Sequence, residues 1–190
     1  RPDLVIVDDP QTDESARSLS QNQTRERILA GAILGLAGPG KKISGFMPCT
    51  VIARNDMADS ILNRDKHPEW QGERMKLMYA FPTDTKLWTQ YEEIRAEDLK
   101  AEHGMTRATA FYKDHRAEMD AGAVVAWAER KYPEELSAVQ HCMNLKFQDE
   151  AAFFAEYQNE PKDVVVETTM LTADQIAGKL NRLDRGLVPI

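Results

Sequence analysis

The chain has 190 residues, 42% of them hydrophobic and 29% charged, with a formal net charge of -7. That balance describes a globular protein with a sizeable core, and it excludes disorder throughout and a uniformly basic surface for nucleic acid. Two cysteines, Cys49 and Cys142, imply no disulfide framework and suit a reducing, intracellular compartment.

The first element is LVIV at positions 4–7, a short β-branched run that predicts a parallel strand covered on both faces. The chain opens on RPDL, without a basic-then-apolar leader, directly before this strand; it reads as part of a longer polypeptide. DPQTDES (9–15) is a loop, and the spacing of Leu19, Ile28, Leu29, Ile33 and Leu34 predicts a helix over 16–36, stopped by GPG at 38–40. A second strand is expected in KKISGFMPCTVIA (41–53). Strand, helix and strand in that order predict a right-handed crossover and a parallel sheet.

An amphipathic helix is predicted at 56–65 and a third strand at 74–82. Long helices follow at 87–104, 107–131, 133–147 and 149–158, then a strand or extended linker at 161–169 and a last helix at 172–186. The expected class is α/β, divided into a sheet region (1–85), a helical annex (86–161) and a linker (162–190). The longest apolar runs, at 30–38 and 121–128, are shorter than the ~20 residues a membrane-spanning helix requires.

Chemistry concentrates where LVIV runs into Asp8 and Asp9. Acids at the carboxyl end of a parallel strand lie where open α/β folds bind their ligands, and the pair suits a magnesium–nucleotide site. In that reading Asp8 holds the ion through water and Asp9 polarises the water that attacks a γ-phosphate. Turn capping by the two acids is the plainer alternative. Thr50, at the end of the following strand, is placed to hydrogen-bond the γ-phosphate or its attacking water. Asp56 reads as the N-cap of the helix after it.

These residues carry a resemblance. DLVIVDDPQ (3–11) is similar to the Walker B strand of the large terminase subunit, the DNA-packaging motor of tailed bacteriophages. TVIARNDMADSIL (50–62) resembles its third ATPase motif. Thr50, Asp56 and Ala58 match that motif and Met57 stands for its leucine. Val51, Ile52 and Ala53 depart from its Arg-Trp-His stretch, which leaves open whether Arg54 takes the arginine's place. The resemblance continues through FYKDHRAEMDAGAVVAW (111–127), PEELSAVQH (133–141) and FFAEYQNEP (153–161).

It implies a P-loop NTPase-type parallel sheet, ATP and Mg2+ as cofactors, Asp8 on the metal side, Asp9 as general base and Thr50 as the γ-phosphate contact. It implies double-stranded DNA, a portal protein and a small terminase subunit as partners, a ring of like subunits, and the host cytoplasm. It also implies a phosphate-binding P-loop upstream of Arg1 and a metal-dependent nuclease beyond Ile190; GPGKKIS (38–44) precedes a strand rather than a helix and is read as a loop. Two other readings are half of a helicase-like ATPase and a non-catalytic interaction module. The helicase reading requires a Ser/Thr-Ala-Thr third motif, which the sequence lacks.

The remaining candidates have plainer readings. Trp70, Trp88 and Trp127 are expected to anchor packing, and His67, His103 and His115 to face solvent. His141 beside Cys142 is the one close nitrogen–sulfur pair, short of a zinc set. Lys41 and Lys42 lie in a loop near the acids, and AEMDAGAVVAW (117–127) is expected to be a helix packed on the sheet.

Overall fold

The structure is a computed structural model and describes residues 1–162. Its elements alternate as expected at the start. β1 (Leu4–Ile6) is followed by α1 (Asp13–Ala16) and α2 (Leu19–Arg27), whose turns widen over Ile28–Ile33 and tighten over Leu34–Ala37 before β2 (Ser44–Phe46). β1 and β2 pair in parallel, with Leu4 opposite Ser44 and Ile6 opposite Phe46. Gly38, at φ 74°, is the stop that ends the helical run.

Within that run the expected single helix is broken. Thr12 caps α1, Ser18 is extended, and the buried Asn22 donates to the carbonyl of Ala16, satisfying the end of α1 from the start of α2. Of the expected apolar stripe only Leu29 is fully buried, while Leu19 and Ile28 are exposed. The widened turn shifts the phase of the stripe.

LVIV is not covered on both faces. Leu4 is 54% and Ile6 62% exposed, because β2 is the only strand beside β1 among the described residues. Val7 and Met47 instead close a small core of Leu29, Met57 and Ile61, against which Trp70 also packs; Met57 and Ile61 belong to α3 (Met57–Leu62).

The predicted third strand does not join the parallel pair. β3 (Met78–Ala80) pairs antiparallel with β4 (Val124–Val125), so the described residues form two separate two-stranded sheets rather than one parallel sheet. α4 (Thr85–Lys100), α5 (Thr106–Asp114), α6 (Arg116–Met119) and α7 (Ala138–Gln148) surround β3 and β4, followed by α8 (Glu150–Ala152) and a wide turn over Phe153–Tyr157. The larger core lies here, built on Trp88, Tyr91, Tyr112, Met119, Cys142 and Phe153. Trp88 and Tyr91 meet edge to face at 5.2 Å, and the Trp88 indole donates to the Met119 carbonyl.

The helix expected over 107–131 therefore ends early. α6 stops at Met119, and Asp120 is held by the Tyr112 hydroxyl at 2.5 Å. Gly122 adopts φ +80°, where a Cβ would also come within 2.7 Å of the Thr83 methyl. The valines beyond it form β4, and Trp127, expected as an anchor, is 57% exposed. The elements predicted at 161–169 and 172–186 lie almost wholly outside the described residues. Among the described residues no helix is long and apolar enough to cross a membrane.

Candidate functional site

Pairing between the first two strands continues past their formal ends: Val7 donates to the Phe46 carbonyl and Asp9 to the Pro48 carbonyl, both at 2.9 Å. Asp9 is thus held next to the segment that leads through Cys49 to Thr50. It takes up φ +39°, the left-handed region that Asp tolerates better than most residues, and the chain turns away from the sheet there. Asp8 and Asp9 are both exposed, and neither carboxylate is hydrogen-bonded among the described residues.

The link to Thr50 comes from Gln11. Its side chain is buried and its Nε2 donates to the Thr50 carbonyl at 2.6 Å and to Asp56 Oδ2 at 2.8 Å. Asp56 is fully buried and collects four donors: Gln11, the backbone amides of Ile52 and Ala53, and the amide of Asp59 in the first turn of α3. The expected helix cap is present, and the same carboxylate also shapes the 50–53 turn and binds the acid loop to it. Thr50 is half-buried, and its hydroxyl is free of hydrogen bonds among the described residues.

The helical annex reaches the site through its last segment. Asn159 accepts from the Val51 amide at 2.9 Å, donates to the Met75 carbonyl at 2.8 Å, and offers its own carbonyl to Arg74. Arg74 in turn pairs with Asp59 on α3. One residue earlier, the buried Gln158 exchanges two 2.8 Å hydrogen bonds with the backbone of Met78, acting as a further strand partner for β3. The sequence missed Gln11, Gln158 and Asn159 as organising residues. The resembling segments contained all three, but their partners lie 39 to 108 residues away.

Asp9 and its neighbouring acids act on the groups around them. The Cys49 thiol is pushed up to about 11, first by burial and then by the negative charges of Asp9 and Asp56. The Glu156 carboxyl is raised by burial and by Asp13 and Asp9. Cys49 is therefore a neutral thiol at physiological pH rather than a nucleophile.

These residues suit the metal half of the expected site and not its phosphate half. No three His, Cys, Asp or Glu side chains among the described residues gather closely enough to form a protein cage for a metal. Mg2+ requires no such cage when one carboxylate and waters complete its shell, and the exposed, uncommitted carboxylates of Asp8 and Asp9 fit that arrangement. The left-handed Gly38 and Gly40 lead into β2, so they do not form a phosphate-binding helix start.

Elsewhere, His141 does not turn towards a metal set with Cys142. Its ring is buried, and Nδ1 lies 2.7 Å from Glu135 Oε2. His103 is exposed as expected; His115 packs on Phe111 at 4.6 Å between ring centroids yet keeps its side chain 41% exposed, and His67 is half-buried beside Glu69 rather than facing solvent. Comparison of the chain with protein-family models, with curated proteins and with solved structures gave no significant match.

Proposed function

We propose that this chain is the later part of the ATPase region of a large terminase subunit, the motor that drives double-stranded DNA into a viral capsid. The observation that carries the reading is the juxtaposition of the two motif-like segments. Asp9 is hydrogen-bonded to Pro48, and Gln11 to the Thr50 carbonyl, so the loop of the paired acids and the loop of the threonine, both just beyond the carboxyl ends of two parallel strands, are tied together, which supports the reading. Ligands of open α/β folds bind at that edge.

In this reading Asp8 holds Mg2+ through water, and Asp9 accepts the proton of the attacking water. Mg2+ with ATP supplies the scissile phosphoanhydride and the charge neutralisation that phosphoryl transfer requires. Thr50 senses the γ-phosphate position with a hydroxyl that has no competing partner among the described residues. Any displacement there passes through the peptide link to Val51 and its hydrogen bond to Asn159, and thence to the helical annex. Portal protein, small terminase subunit, a ring of like subunits, a nuclease activity elsewhere in the polypeptide and the host cytoplasm belong to the same proposal.

The test uses the polypeptide that carries the phosphate cradle, found by sequencing the coding DNA on both sides of this segment. A glycine-rich turn ending in Lys-Ser/Thr, encoded in frame upstream, is expected. Asp9→Asn there is expected to lower DNA-stimulated ATP hydrolysis by about 10²–10⁴-fold, the range for loss of a general base. Unchanged hydrolysis, or no encoded cradle, removes the enzyme reading and leaves an interaction module.

A further inference from the structure

A cleft of about 540 Å³ opens between α4, α5 and α7, remote in sequence from the acid pair. Its walls include Leu99, Met105 and Leu145, and its volume is in the range of small-molecule sites. Two polar groups in it are organised without being satisfied. Arg95, on α4, is half-buried; it forms no ion pair or hydrogen bond among the described residues, and its Nε is fully buried without an acceptor. A guanidinium with its Nε buried and unpaired and no counter-ion among the described residues gains from an anion that reaches its outer nitrogens.

The second group is His141. Glu135 is buried and accepts from the Tyr132 amide, from Asn144 Nδ2 and from His141 Nδ1. A carboxylate can only accept, so the proton of the neutral imidazole resides on Nδ1 and Nε2 is left for the cleft. Asn144 is committed on its other side to the Tyr91 hydroxyl, and Tyr132 packs edge-on against the His141 ring at 4.9 Å. Glu135 is engaged on both oxygens by its three donors, so it is a positioning group and not a ligand.

We propose that this cleft binds a small organic acid, its carboxylate on Arg95 and on protonated His141 Nε2, its apolar body against Leu99, Met105 and Leu145. Guanidinium and imidazolium donors give charge-assisted hydrogen bonds to a carboxylate, and the apolar walls favour a ligand with a hydrocarbon or aromatic body over a mineral anion. A neutral imidazole has no donor left at Nε2, so binding takes up a proton and tightens as pH falls. The charged groups that line the cleft with His141 are Glu135 and Glu134 from the 132–135 turn and Arg95 from α4, with Lys131 bonded to the Glu135 carbonyl at 2.9 Å; α5 contributes the uncharged Thr106 and Thr109.

The probe is benzoate, added to the full chain labelled with ¹³C in its histidine rings; the four histidines give separable ring signals. A saturable shift of the His141 signal is expected, stronger at pH 6 than at pH 8 and absent with benzamide. Arg95→Gln is expected to weaken the interaction by about tenfold, one charge-assisted contact. Leu99→Glu, at a surface position that tolerates charge, is expected to abolish it. Equal response to benzamide, no saturable shift at millimolar benzoate, shifts shared by all four histidines, or an unchanged affinity in Arg95→Gln would each overturn the assignment.

Discussion

Asn159 accepts a hydrogen bond from the backbone amide of Val51 at 2.9 Å, joining residues 108 positions apart. Val51 is buried, so no water replaces the bond if the side chain is removed. Asn159 also sits at φ 52°, which Gly adopts freely and Ala does not. Two substitutions separate these contributions. Asn159→Gly removes the side-chain bonds and is expected to destabilise by about 1–3 kcal/mol. Asn159→Ala adds the left-handed backbone strain, about 1 kcal/mol more. Urea denaturation of the three proteins checks both steps, and a more stable Ala than Gly variant would contradict the assignment.

Asp56 binds the acid loop, the 50–53 turn and α3 together. Asp56→Ala leaves buried donors on Gln11, Ile52 and Ala53 without an acceptor and removes a helix cap. We expect a loss of about 3 kcal/mol or more, well beyond a cap alone. Gln11→Ala, which removes one of the four donors and its bond to Thr50, is expected to lose about 1–2 kcal/mol. Because the two residues touch, their effects are expected to be less than additive in the double variant. Strict additivity by thermal or urea melts would show that Gln11 and Asp56 do not act as a unit.

Part of this arrangement is legible in the residues alone. The β-branched LVIV, the helical spacing after it and the glycine stop at 38–40 foretell a parallel strand pair, because each is a local pattern, although the second strand covers only Ser44–Phe46 of the expected 41–53 and stops short of Thr50. The cap at Asp56 is local too. The exposure of Leu4 and Ile6 was not legible, since an apolar run reports that a surface is fit for burial and is silent on what stands beside it. The fate of 107–131 was decided by one backbone position, Gly122, and by the pairing of Val124–Val125 with Met78–Ala80 across the fold. Helical propensity in AEMDAGAVVAW loses there to a long-range contact. The site divides in the same way. Asp8, Asp9 and Thr50 stand out as residue types at strand ends, whereas Gln11 and Asn159 have roles set by partners far along the chain.

Cys49 offers a chemical readout of the acid loop. Its thiol is raised to about 11 chiefly by burial, with Asp9 and Asp56 adding to it. Because the thiolate is the reactive form, alkylation by iodoacetamide at pH 8.5 is expected to be slow in the folded protein. Asp9→Asn removes one of the opposing charges and is expected to accelerate labelling at Cys49 by a factor of about 2–5, burial being the larger cause. Asp3→Asn, at an exposed carboxylate paired with Lys41, serves as the control and is expected to leave the rate unchanged. Peptide mapping separates Cys49 from the more deeply buried Cys142. Equal rates in the wild type and Asp9→Asn would place Asp9 away from the thiol.

Glu156 ties the annex to the same negative field. The residue is exposed, and partial desolvation of the carboxyl raises its pKa first, then Asp13 and Asp9. A carboxyl whose folded-state pKa lies above its unfolded value holds its proton more tightly when folded. Stability from this group therefore falls as pH rises from the unfolded value through the folded one, and the unfavourable contribution is complete above it. Glu156→Gln removes that contribution, so the variant is expected to be more stable than wild type at pH 7, with the difference disappearing below the ordinary glutamate range. Replacing Asp9 by Asn first should shrink the gain, because one of the repelling charges is then absent. Urea midpoints at pH 7 and pH 3.5 for Glu156→Gln, Asp9→Asn and the double variant check each step. A gain at pH 7 that is untouched by Asp9→Asn would show that burial alone raises Glu156, and that the annex does not feel the acids at the end of β1.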